Sequence, residues 1–160
     1  MTAKVEKGIP APEEVLRSFI VRFGEKEQKL FRSVRAALRK RFPAANELAY
    51  DYTSSIVIAY SPDHHGIHGI VSISLRDEGV RLYLNQAKTL NDPKKLLRGS
   101  GKQARYLELA SANDLKSPDI EALVAAAVDG ASVPLPASGK GTLLIRTGGP
   151  KPPACKRAKR

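Results

Sequence analysis

The sequence predicts an α+β domain: an antiparallel sheet of about five strands with helices packed on one face, two N-terminal and one C-terminal. Three observations carry this. Apolar residues recur at helical spacing before Pro43 and again after Ser117. Between them the period changes to two, in runs rich in β-branched residues and broken by turn signals. The strands follow one another without an intervening helix, which favours hairpins over parallel crossovers.

Each element has its own local reason. Pro12 suits the first position of a helix, and Glu13 and Glu14 favour the positive end of its dipole. Val15, Leu16, Phe19, Ile20 and Phe23 form its stripe, and Gly24 is placed to end it in the left-handed conformation. A second helix, about Glu25 to Arg41, sets Leu30, Phe31, Val34, Leu38 and Phe42 on one side. Its other faces carry Lys26, Lys29, Arg32, Arg35, Arg39, Lys40 and Arg41, and Pro43 stops it. Glu47 to Tyr52 and Ser55 to Tyr60 read as paired strands, followed by a loop from Pro62 to His68. Val71, Ile73 and Leu75 alternate with Ser72 and Ser74. After the turn at Asp77-Glu78-Gly79, Val80, Leu82 and Leu84 alternate with Arg81 and Tyr83. Arg105 to Leu109 is the last strand. Ser117 and Pro118 open a closing helix with Ile120, Leu123, Val124, Ala127 and Val128 inward, and Gly130 stops it.

The organisation is a flexible N-terminus over 1–10, one domain over 11–129 and a tail over 130–160. The tail holds seven basic residues and no acidic one, and accounts for +7 of the net +11. It is rich in Pro and Gly and buries little, which predicts flexibility. Thr142 to Ile145 is the exception, able to dock as a short edge strand. The single cysteine, Cys155, excludes an internal disulfide and points to a reducing, cytoplasmic setting. The first residues carry Lys4, Glu6 and Lys7 and do not read as a secretory signal. The longest apolar run, Ala122 to Val128, is too short to span a bilayer, so no membrane partner is expected.

The charge makes polyanions and anionic metabolites plausible partners. The most distinctive segment is Leu97-Arg98-Gly99-Ser100-Gly101-Lys102-Gln103-Ala104-Arg105. Gly99 and Gly101 allow close backbone approach, and Lys102 and Arg105 would neutralise an anion held by successive amide groups. The spacing is not that of a Walker loop. With the solvent side of the sheet, where Arg81 and Tyr83 supply a stacking wall, these residues compose a ligand-binding candidate. No catalytic motif is present. Ser100 has no neighbouring base, and Glu47 and Asp51, four apart and able to meet near a cleft, read more simply as solvated acids. His64, His65 and His68 fall in one loop, but without a ligand spacing that fixes a metal. No cofactor is implied. The absence of Trp and the nine Phe and Tyr argue against a large aromatic platform, although two or three stacking rings suffice for nucleic acid.

The stretch Leu90-Asn91-Asp92-Pro93 and Leu96 to Leu109, then Ser111-Ala112-Asn113-Asp114-Leu115, then Pro118 to Ala127, resembles the YdhG-like family of domains of unknown function. The likeness covers about residues 12–129 and includes the two opening helices and the central hairpin. It implies a compact α+β domain with an antiparallel sheet. For some members it implies a frataxin-like iron-chaperone role. Iron carriage of that type wants exposed carboxylates, since hard cations prefer oxygen; here the opening helices are basic. The expected function is a non-enzymatic module for a small anionic ligand or an acidic partner. Nonspecific nucleic-acid association through the tail and second helix, and an iron chaperone by resemblance, are the alternatives.

Overall fold

A computed structural model describes residues 10–85, 90–99 and 104–146. The architecture is α+β, with helices α1 (Pro12–Ile20), α2 (Glu25–Arg41) and α3 (Pro118–Asp129) packed against one six-stranded sheet. The strands are β1 (Asn46–Asp51), β2 (Ser55–Ser61), β3 (Val71–Arg76), β4 (Gly79–Asn85), β5 (Ala104–Leu109) and β6 (Leu143–Ile145). Their order is β5-β4-β3-β2-β1-β6, antiparallel throughout except for β6, which runs parallel to β1.

The sixth strand comes from the segment assigned above to the tail. Residues 142–145 dock because Asn46 Oδ1 accepts from the Thr142 amide at 3.0 Å, and the Glu47 amide donates to Thr142 O at 2.8 Å. Gly141 lies so close to the Ala45 carbonyl that a Cβ there would overlap it. Only glycine permits the approach that brings β6 to the sheet.

Two helix boundaries differ in mechanism from the sequence reading. Gly24 does not end α1 in the left-handed conformation; at φ −62° and ψ 150° it is the extended N-cap of α2. Ser117 occupies the N-cap of α3 ahead of Pro118, but its hydroxyl makes no capping bond. The capping box lies one turn earlier, where Ser111 and Asp114 bind each other's backbone in a 3-10 turn over Ala112–Lys116.

One core joins the helices to one parity of the strands. Leu16 and Ile20, Phe31, Val34 and Leu38, and Leu123, Val124 and Ala127 meet Ile56, Ile58, Ile73, Leu75, Leu82 and Leu107. The opposite parity forms a second face. Its registers align Glu108–Arg81–Ser74–Val57–Tyr50 in one row and Tyr106–Tyr83–Ser72–Ala59–Leu48 in the next. The loop after β2 turns back over one end of this face, with Gly66 against the Tyr50 hydroxyl and Gly69 against Ala59. Leu48 and Ala59 are buried there, outside the helix-side core. The remainder of the face, towards β4 and β5, carries Arg81, Tyr83, Tyr106 and Glu108.

Candidate functional site

The hairpin β3–β4 places Ser72 opposite Tyr83 and Ser74 opposite Arg81, as alternation requires once Val71, Ile73 and Leu75 are turned to the helices. β5 adds Tyr106 opposite Tyr83 and Glu108 opposite Arg81. The four side chains form one cluster. The Arg81 guanidinium sits 4.1 Å from the centre of the Tyr106 ring, within cation–π range. Its Nη1 donates to the Tyr83 hydroxyl at 3.3 Å, and its Nε lies 3.3 Å from Glu108 Oε2. The Tyr83 and Tyr106 ring centres are 5.5 Å apart, tilted at 48°. The bond to Tyr83 favours the charged guanidinium and raises the Arg81 pKa further. Gly99 borders the cluster. Its φ is +94°, and a Cβ there would stand 3.3 Å from the Tyr106 ring. The backbone is held nearby by the pair Arg98 N to Tyr106 O, 2.7 Å, and Tyr106 N to Arg98 O, 3.1 Å.

The sequence-predicted site is therefore brought together in part. Arg81 and Tyr83 meet, and Gly99 lies beside Tyr106 at the edge of their cluster. Arg105 does not join them: it pairs with Leu84 and shares the face of Leu107 and Leu109, opposite to Tyr83. The physical reason is strand parity, since burying Leu107 and Leu109 turns Arg105 to the helix side. Gly101 and Lys102 lie outside the described residues, as does Ser100. Tyr106 and Glu108 were missed, although Leu107 and Leu109 already fixed their face.

The other candidates resolve into structural roles. Glu47 and Asp51 do not act as a pair. Glu47 is buried beneath α2, where its carboxylate accepts from Arg35 Nε at 2.9 Å, Arg35 Nη2 at 2.8 Å and the Tyr60 hydroxyl at 2.8 Å. Arg35 also binds Glu13 through two bonds of 3.0 and 2.8 Å. Burial alone would lower the Arg35 pKa, but its bonds to Glu47 and Glu13 outweigh that and hold it charged. The Arg35 bond likewise lowers Glu13, and burial beside Glu47 pushes the Tyr60 hydroxyl well up. Asp51 instead binds Arg22 at 2.8 Å and the Thr53 amide at 2.9 Å. The Arg22 bond, opposed by burial and aided by that amide, lowers its carboxyl below the usual range.

The histidine loop is organised by Asp63, which accepts from the His65 amide at 2.9 Å and lies 2.7 Å from His68 Nδ1. Among the described residues no group of three His, Cys, Asp or Glu side chains is placed to hold a metal ion. No helix among them is long and apolar enough to cross a membrane. The basic face of α2 is largely committed within the chain: Arg35 as above, Arg32 to Gln28, Arg41 to Glu121. A cleft of ≈ 490 Å³ between α2, the 3-10 turn and α3 is lined chiefly by Ala37, Leu38, Ala112, Leu115 and Val124. Lys40, Arg41, Lys116 and Glu121 also line it, and Arg41 is paired with Glu121.

Comparison with protein-family models, with curated proteins and with solved structures returned no match.

Proposed function

We propose that the chain is a binding module, acting by association and not by catalysis, whose open sheet face takes a small anionic ligand bearing a flat ring, of the nucleotide kind. One observation carries the reading: Arg81, Tyr83 and Tyr106 form a contiguous aromatic and cationic cluster on the face that the helices leave open. Such groups stack on a ring and neutralise an acid. The Arg81–Glu108 pair does not close the site. Glu108 is 46% exposed, and an exposed pair of this kind contributes little, so a phosphate competes with it for the guanidinium. Gly99 leaves room beside Tyr106 for a ligand to approach the backbone. An acidic protein partner would use the same arginine but would have no need of two adjacent rings. Kinship with the YdhG-like family stands as part of this proposal and contributes no residue to it.

Calorimetric titration of the full chain with adenosine monophosphate tests the reading. Arg81→Ala is expected to weaken binding by about tenfold or more, the worth of a charged hydrogen bond. Tyr106→Ala is expected to do the same through lost stacking. Glu108→Gln removes a repelling carboxylate and is expected to tighten binding. Absence of binding, or binding that none of the three changes alters, contradicts the site.

A further inference from the structure

Four of the five tyrosines in the protein lie on the side of the sheet away from the helices, Tyr50 with its hydroxyl against Gly66 of the overlying loop. Tyr83 and Tyr106 are cross-strand neighbours on β4 and β5. Tyr50 lies on β1, and Tyr52 is stacked on it with ring centres 5.8 Å apart and planes within 8°. The fifth, Tyr60, is buried on the helix side. Between the two aromatic pairs the row through Arg81 and Tyr50 is floored by Ser74 and Val57, with Ser72 beside them. Of these Ser74 is buried and Val57 and Ser72 are half-buried. From β1 to β4 is three strand spacings, about 14 Å. Two stacking stations are thus set apart on one surface with no bulky side chain on the row between them.

Cations border the same strip. Arg81 lies within it, Arg76 follows Ser74 at the end of β3, and Arg98 pairs with Tyr106 along the outer side of β5. Arg76 pairs with Glu78, an exposed partner on the adjoining turn. The chain as a whole carries a net +11. A strip that alternates rings and positive charge matches a polymer that alternates bases and phosphates. A duplex keeps its bases stacked on each other, so only an unpaired strand can offer them to tyrosines on a sheet.

We propose that this face binds single-stranded nucleic acid, with bases stacked on the Tyr83–Tyr106 and Tyr50–Tyr52 pairs and phosphates near Arg76, Arg81 and Arg98. The proposal rests on the reading of the Arg81 cluster as a ring-and-anion site and extends it along the sheet. Binding is sequence-tolerant, because stacking does not distinguish base edges.

The test is fluorescence anisotropy of a labelled oligothymidylate of about 12 nucleotides, within the usual site sizes, against the full chain and its variants. A duplex of equal length serves as comparator. The single strand is expected to bind more tightly than the duplex. Tyr50→Ala with Tyr52→Ala, and separately Tyr83→Ala with Tyr106→Ala, are each expected to weaken it by about tenfold or more. Tyr50→Phe with Tyr52→Phe keeps the rings and is expected to keep the affinity, which separates stacking from damage to the fold. If the Tyr50 and Tyr52 changes have no effect while adenosine monophosphate still binds at Arg81, the extended strip is wrong and the small-ligand site stands. Equal binding of duplex and single strand, insensitive to every tyrosine change, overturns the proposal and leaves only a charge tether. A shift in oligomeric state on the same substitutions, with oligonucleotide affinity unchanged, also overturns it and makes the face a contact between copies.

Discussion

Glu47 is the residue whose environment departs most from what its type suggests. Its side chain is 5% exposed, and its carboxylate is met by Arg35 and by the Tyr60 hydroxyl. Removing one member of such a network strands a buried charge, which costs about 3–5 kcal/mol. Glu47→Ala is therefore expected to lower the unfolding free energy by about 3 kcal/mol or more. Tyr60→Phe, which removes only one bond to a charged acceptor, is expected to cost about 1.5–3 kcal/mol. Urea denaturation measures both, with the slope of free energy against denaturant unchanged if the folded state keeps its compactness. A loss below about 1 kcal/mol for Glu47→Ala contradicts a buried, paired carboxylate. Nothing in the spacing of Glu47 and Asp51 distinguishes this from two solvated acids. The partners Arg35 and Arg22 arrive from helices whose docking is set by the core, and long-range pairing of that kind leaves no local signature.

At the scale of elements, periodicity carried most of the fold. The limits of α2, the parity of β3 and β4 and the start of α3 follow from side-chain alternation and from Pro12, Pro43 and Pro118. The placement of Ser72, Ser74, Arg81 and Tyr83 on one face was readable for the same reason. Arg105 was assigned by its charge and not by its phase, and Leu107 and Leu109 decide the phase. β6 was harder: three residues give no period of their own, and the deciding feature is the contact of Gly141 with the Ala45 carbonyl. Gly141→Ala is expected to dislodge β6 from the edge of the sheet. The Glu47 amide, which donates to Thr142 O, would then exchange its hydrogen faster, while amides pairing β3 with β4 keep their protection. Unchanged exchange at Glu47 contradicts the role given to the glycine.

The whole molecule divides its charge and its faces. The helix side of the sheet is occupied by the core, and α2 turns Arg32, Arg35 and Arg41 to partners within the chain. The other side holds four tyrosines and Arg81 with small residues between them. A basic composition by itself names no partner; it was the distribution of rings across strands distant in sequence that the composition concealed. Tyr50 and Tyr106 are 56 positions apart yet lie on one surface. The ligand surface proposed above is this one and not the basic face of α2. Mapping amide chemical-shift changes of the full chain on addition of adenosine monophosphate tests it most directly. Changes centred on Arg81, Tyr83, Gly99 and Tyr106 are expected. Changes centred on Lys26, Lys29 and Lys40 of α2, with the sheet unmoved, would contradict it.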